Sequence, residues 1–353
     1  MTAPKERLCG PDIVRFFAIC FVVFVHGAGE MGIYKMNMQG TETFLFLCFR
    51  WLCYSCVPLF MVLTGYFQYR KQLNWRFYKG ILPILASYGF ISILAIAFRI
   101  WYWKEELSWF QWLCTIFDFT GDWYSWYVEM FIGLFLLIPF LNILYHGLPG
   151  KREKQLLIGI LLFLTALPSL VSTFSAGGRM LDILPDYWLD IYPISYYYIG
   201  AYLREYPIRL NRWLTAGLLA GVILLVSGIG WHYFAGGPFI WEIFNGYYGI
   251  TTVAITVLVF LLFYQGEIHW KPLRWLVTDV ASLSFDMYLF SFIFDKWFYS
   301  LWLQGHPMQL RGMLVVAPAV LVASYLASCG KRLLFRGVTA LWKFTQKTKA
   351  DVV

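Results

Sequence analysis

Charge is scarce in this sequence. Asp, Glu, Lys and Arg make up 14% of its 353 residues, against about a quarter in an ordinary soluble domain. With 60% hydrophobic and 21% aromatic residues, that shortfall excludes a water-soluble globular chain. Histidine is also rare, with His26, His146, His232, His269 and His306, and none of them falls in a metal-ligand spacing. No phosphate-binding loop and no nucleophile elbow occurs. The seven cysteines are odd in number. Cys53 and Cys56 form a C-x-x-C without a second pair, which fits packing thiols better than metal or redox chemistry. The net charge of +8 has no nucleic-acid motif beside it. Those basic residues are read instead as flanks of membrane helices.

Long apolar runs are what the sequence has. Ten candidate spans lie near 11–28, 43–67, 78–101, 124–146, 156–174, 189–203, 213–234, 247–264, 278–302 and 312–334. The expectation is an all-α integral membrane protein, one transmembrane domain over 1–340 with a short basic tail at 341–353. The first span carries Asp12 and Arg15, and no small-residue cleavage pattern follows Gly29, so it is expected to remain as a helix. If the N-terminus is cytoplasmic, the outer loops hold only Lys35, Lys104, Arg179 and Arg311. Twenty Lys and Arg, Lys331 and Lys154 among them, then fall on the inner side. That asymmetry places both termini in the cytoplasm.

Two outer segments exceed tight turns. The aromatic stretch 107–125 is expected to lie in the membrane interface or to re-enter the membrane, and it could face a polar acceptor. The stretch 175–190 carries Asp182, Asp186 and Asp190 and could face a polar acceptor, or anchor at the interface.

Ionisable residues inside spans are functional candidates. Arg15 and His26 have ten residues between them on the first span. Eleven steps of about 100° bring them to one face, roughly 16 Å apart along the axis. Asp12 is an i,i+3 neighbour of Arg15. His26, Glu129, Arg50, Arg99, Asp295 and Lys296 fall in the outer half. This gives an inner polar zone at Asp12 and Arg15 and an outer one at His26 and Glu129. A neutral histidine beside a carboxylate works as a general base. The plainer readings are a helix-end histidine at the headgroups and an Arg15 that snorkels inward. Arg99 is expected to snorkel outward. Asp295 and Lys296 are adjacent, point to different faces and need other partners.

Four segments resemble the acyltransferase 3 family of bacterial multispanning membrane O-acyltransferases. PDIVRFFAICFVVFVHG (11–27) is similar to its opening helix, and Arg15 and His26 match its Arg–ten residues–His pattern. SCVPLFMVLTGYF (55–67), with Pro58 and Thr64-Gly65, WYVEMFIGLFLLIPFLN (126–142) and YPISYYYIGAYL (192–203) resemble later helices. SLSFDMYLFSFIF (282–294) is a looser match, with Ser291 where many members have histidine. No role is carried over to Ser291 or to Asp286.

The resemblance implies a donor of cytoplasmic acyl-CoA, with acetyl the expected group, and a cell-surface polysaccharide or glycolipid acceptor. It implies the cytoplasmic membrane of a bacterium as the location. On that reading His26 is the base, Glu129 orients it, and Arg15 with Asp12 holds the donor, with membrane lipid around the protein and no metal or nucleic acid involved. A transporter or flippase of a lipid-linked or anionic sugar is the competing expectation, though no internal repeat accompanies it. A membrane sensor or scaffold is a third, which would not need Arg15 and His26 on one face.

Overall fold

The computed structural model describes residues 7–169, 184–239 and 246–350, the last ten by backbone alone. Thirteen α-helices are described: α1 Cys9–Glu30, α2 Gly40–Tyr54, α3 Cys56–Gln68, α4 Trp75–Tyr78, α5 Leu82–Trp103, α6 Trp109–Phe117, α7 Trp126–Gly147, α8 Lys151–Thr165, α9 Tyr192–Glu205, α10 Arg212–Phe234, α11 Ile250–Phe263, α12 Lys271–Gly305 and α13 Gly312–Ala350. No strand occurs among the described residues, only two isolated bridges that tie Asn37 and Met38 to Pro238 and Ala235.

Each of the ten expected spans coincides with a helix or a helix pair, the fifth only as far as residue 169. Seven stretches are long and apolar enough to cross a membrane: α1, α2 with α3, α4 through α5, α7, α10, α12 and α13. α11 is apolar but has 14 residues, and α8 and α9 have 15 and 14. α9 is short in hydropathy as well as length, because its middle is a run of tyrosines whose rings are buried. The protein is a multi-pass membrane protein.

α1 is the central helix. It packs against α2, α3, α11, α12 and α13, and its apolar residues face inward around nearly the whole circumference, as a helix hydrophobic all round must. α2 and α3 form one span, interrupted at Ser55. Pro58, in the first turn of α3, has no N–H to continue the ladder. The Ser55 hydroxyl donates to Leu52 O at 2.7 Å and caps the break.

α3 and α9 cross with their backbones in contact. A Cβ on Gly65 would sit 1.9 Å from Tyr197 O, and one on Gly200 would sit 2.0 Å from Val62 O. Small residues permit this approach where no hydrophobic force drives helices together in lipid.

The segment expected at the interface divides in two. α6 begins with a capping box of Ser108 and Gln111 and exposes Trp109, Phe110, Leu113 and Phe117, an apolar face suited to the interface. Residues 118–125 then turn back into the bundle, where Asp122, Tyr124 and Ser125 are buried. In the other segment, Asp186 and Asp190 lie on a short 3-10 helix, Asp186–Ile191, and Asp182 is outside the described residues.

Candidate active site

Arg15 stands on α1 with its guanidinium partly exposed and over the ring of Phe67, 5.5 Å from the centroid. Asp12 is buried and is held chiefly by Arg7, whose Nε and Nη2 donate to its two oxygens at 2.6 and 3.0 Å. Arg15 Nη1 is 3.8 Å from the same carboxylate. Arg7 also donates to Thr278 O of α12 at 3.1 Å, so this cluster fastens α1 to α12.

Arg15 opens into a cavity of about 280 Å³ between α1, α3, α7 and α12. Val22, Phe60, Tyr127, Phe131 and Tyr288 are among its walls, with Thr64 and Gln68 as polar points. The cavity is therefore an apolar slot with one cation at its margin, and Arg15 and Val22 mark its course along α1.

Beyond the slot the aromatic rings are contiguous. Tyr127 and Tyr288 have centroids 5.7 Å apart, and Tyr288 and Tyr124 6.4 Å. Tyr124 lies against the imidazole of His26, with centroids at 3.7 Å and planes 17° from parallel. Its hydroxyl donates to Asp295 Oδ2 at 3.0 Å. Lys296 pairs with Glu30 and lies over Trp123, 4.7 Å from the centroid.

Glu129 does not join His26. Its side chain is exposed on α7 and makes no hydrogen bond or ion pair with the imidazole. Equal depth in the membrane does not imply equal azimuth. The carboxylate connected to His26 is Asp295, through Tyr124.

Arg99 does not snorkel outward. It is buried, takes Glu105 in a two-pronged bond at 2.8 and 2.7 Å, and donates from Nη1 to Thr120 O and Gly121 O, both at 3.0 Å. This hydrogen bond from Arg99 is the main reason the Glu105 carboxyl falls below its usual range. On the same segment, burial pushes the Asp122 carboxyl up, against the Ser125 hydroxyl and the backbone N–H groups of Tyr124 and Ser125.

Arg50 is buried among the rings of Phe239, Tyr54, Trp51 and Tyr34, at 4.6 to 5.4 Å. Ser291 donates to Tyr288 O at 2.7 Å inside its own helix and lines neither the slot nor the cavity between α12 and α13. Cys53 and Cys56 are buried free thiols.

A second cavity, about 490 Å³, lies between α12 and α13 and is lined by Asp286, Lys331, Arg332 and Arg336. Lys331 is buried, not a flank in water. It donates to Asp286 at 2.6 Å, and Ser87 of α5 donates to the same oxygen at 2.5 Å. Lys154 is buried too, against Glu205 at 2.8 Å.

Residues 10–330 match the model of the acyltransferase 3 family, described as an acyltransferase domain. The chain belongs to that family. The match runs from α1 into the first half of α13, so both polar zones and the slot lie inside this acyltransferase domain, and membrane acyltransferase activity follows from the membership. No curated protein and no solved structure matches the chain.

Residues the sequence did not single out complete the site. Tyr124 sits within the aromatic segment 107–125, in which the sequence singles out no one residue. Glu30 and Arg7 lie at the two ends of α1, where charge is ordinary. A carboxyl at the end of a span is no signal by itself, and Glu30 gains meaning only from Lys296, 266 positions away.

Proposed function

We propose that this acyltransferase moves a short acyl group, acetyl, from acyl-CoA to a hydroxyl of a cell-surface polysaccharide or glycolipid, in the cytoplasmic membrane of a bacterium. The observation that carries this reading is the apolar slot that starts at Arg15 and follows α1 toward His26. A pantetheine arm is narrow and mostly apolar, and its nucleotide end bears phosphates. A guanidinium at the slot's margin suits those phosphates. The rise of about 16 Å along α1 between Arg15 and His26 is comparable to the reach of an extended pantetheine arm.

The chemistry balances without a further reactant. The acceptor oxygen attacks the thioester carbonyl carbon while His26 takes the hydroxyl proton. The carbon–sulfur bond then breaks and the proton passes from His26 to the leaving thiolate, giving an ester and free CoA thiol. Asp12, locked by Arg7, fixes the backbone from which Arg15 projects. The Lys and Arg asymmetry puts the Arg15 end in the cytoplasm, where acyl-CoA is made, and the His26 end outside, where the acceptor is.

The test is mass spectrometry of surface glycans from cells carrying wild type, His26→Ala or Arg15→Ala at matched expression. A base-labile ester present in wild type and lost in both variants is expected. Near-normal ester with folded His26→Ala would exclude the base role. No ester in any sample, with the host's glycans intact, would favour the transporter instead.

A further inference from the structure

Tyr124 is held from several directions. Its carbonyl accepts a bond from the Tyr288 hydroxyl. Its N–H donates to Asp122 Oδ1 at 2.9 Å, and Ser125 donates to Asp122 Oδ2 at 2.7 Å. Arg99 grips the two carbonyls just before this turn. The result is a phenol whose face is fixed on His26 and whose hydroxyl is fixed on Asp295. Asp295 is completely buried on α12, and its Oδ1 has no hydrogen-bond partner among the described residues. A carboxyl group buried there with one oxygen unpaired needs an explanation.

We propose that Asp295 is a positioning residue that acts through Tyr124 to stabilise the protonated form of His26. A hydroxyl that donates to a carboxylate shifts electron density into its ring, and a cation on the face of an electron-rich ring is attracted by it. Neutral His26 stacks on Tyr124 as one flat ring on another. Once His26 has taken the acceptor's proton, the same contact becomes a cation on a π face, backed by the Asp295 carboxylate. Among the described residues, the ammonium of Lys296 also acts on His26, and it pairs with Glu30. The Tyr299 hydroxyl rests against Gly27. Asp295 thus supplies negative charge along one line of contact, and the proton never leaves the Tyr124–Asp295 hydrogen bond. This relay rests on the reading of His26 as base.

The experiment reads His26 without an acceptor. Full-length protein in nanodiscs is treated with diethyl pyrocarbonate, which modifies neutral imidazole, and the His26 peptide is followed by mass spectrometry from pH 3 to 9. Tyr124→Phe keeps the stack and removes the hydroxyl, and Asp295→Asn keeps an acceptor and removes the charge. Each is expected to move the midpoint to lower pH by about one pH unit. The double variant is expected to move it no further, since both act on one line. Wild-type midpoints in both folded single variants would overturn the proposal. Additive shifts in the double variant would also overturn it, because the two groups would then act separately. In cells, ester formation is expected to fall about tenfold in each single variant. Persistent ester in His26→Ala would instead defeat the base reading, an outcome distinct from a failed pH shift.

Discussion

Asp12 belongs to Arg7 more than to Arg15: the Arg7 pair is at 2.6 Å and the Arg15 contact at 3.8 Å. The i,i+3 neighbours on α1 therefore do not neutralise one another fully, and the Arg15 guanidinium remains available to the slot. Asp12→Asn is expected to loosen the Arg7 clamp and raise KM for acyl-CoA about tenfold while leaving kcat within about twofold, since the interaction serves donor binding alike in ground and transition states. Steady-state kinetics with purified protein checks this, and a fall confined to kcat would contradict it.

The crossing of α3 and α9 leaves no space for a methyl group. Gly65→Ala and Gly200→Ala are each expected to lose at least about 1–3 kcal/mol, because the atoms met are backbone carbonyls that cannot rotate aside. Thermal unfolding in detergent should show lower midpoints. Gly133, on α7 with open space around its Cβ position, is the control and should tolerate alanine.

Lys331 and Asp286 form an ion pair inside the bundle, with side chains 8% and 15% exposed. Lys331→Met is expected to cost about 3–5 kcal/mol by stranding the carboxylate. The double change Lys331→Met with Asp286→Leu should recover most of that loss. Equal destabilisation in single and double variants would show that the two residues contribute independently.

Glu105 gives a pH signature outside the spans. Its folded carboxyl is held below its ordinary value of 4.5, first by the Arg99 hydrogen bond. Its contribution to stability is therefore complete above about 4.5 and is lost as pH falls through the lower folded value. Thermal midpoints of wild type and Glu105→Gln should differ at neutral pH and converge in acid. A gap that widened in acid would reverse the sign.

The helices, α1 among them as one unbroken rod carrying both Arg15 and His26, were legible because periodicity and hydropathy are local properties. Family likeness was legible in the same way, through four short segments. The partners of His26 were not. Tyr124 and Asp295 reach it from a loop and a distant helix, and depth in a membrane, the one coordinate a topology supplies, cannot distinguish Glu129 from Asp295. Arg99 was misread for a related reason. Its ligands include two backbone carbonyls, which no residue type announces. Lys331 and Lys154 were counted as flanks, because charge near a span end looks the same whether it meets water or a buried carboxylate.

α12 is a partition between two unlike spaces. Ser284, Phe285 and Tyr288 face the slot, whereas Leu283 and Asp286 face the basic cavity. At about 100° per residue, those two sets lie on opposite sides of one rod. Rotation of the rod about its axis cannot improve one side without disturbing the other. An occupant that favours one rotational setting of α12 thereby alters the space behind it, and linkage makes that influence equal in both directions.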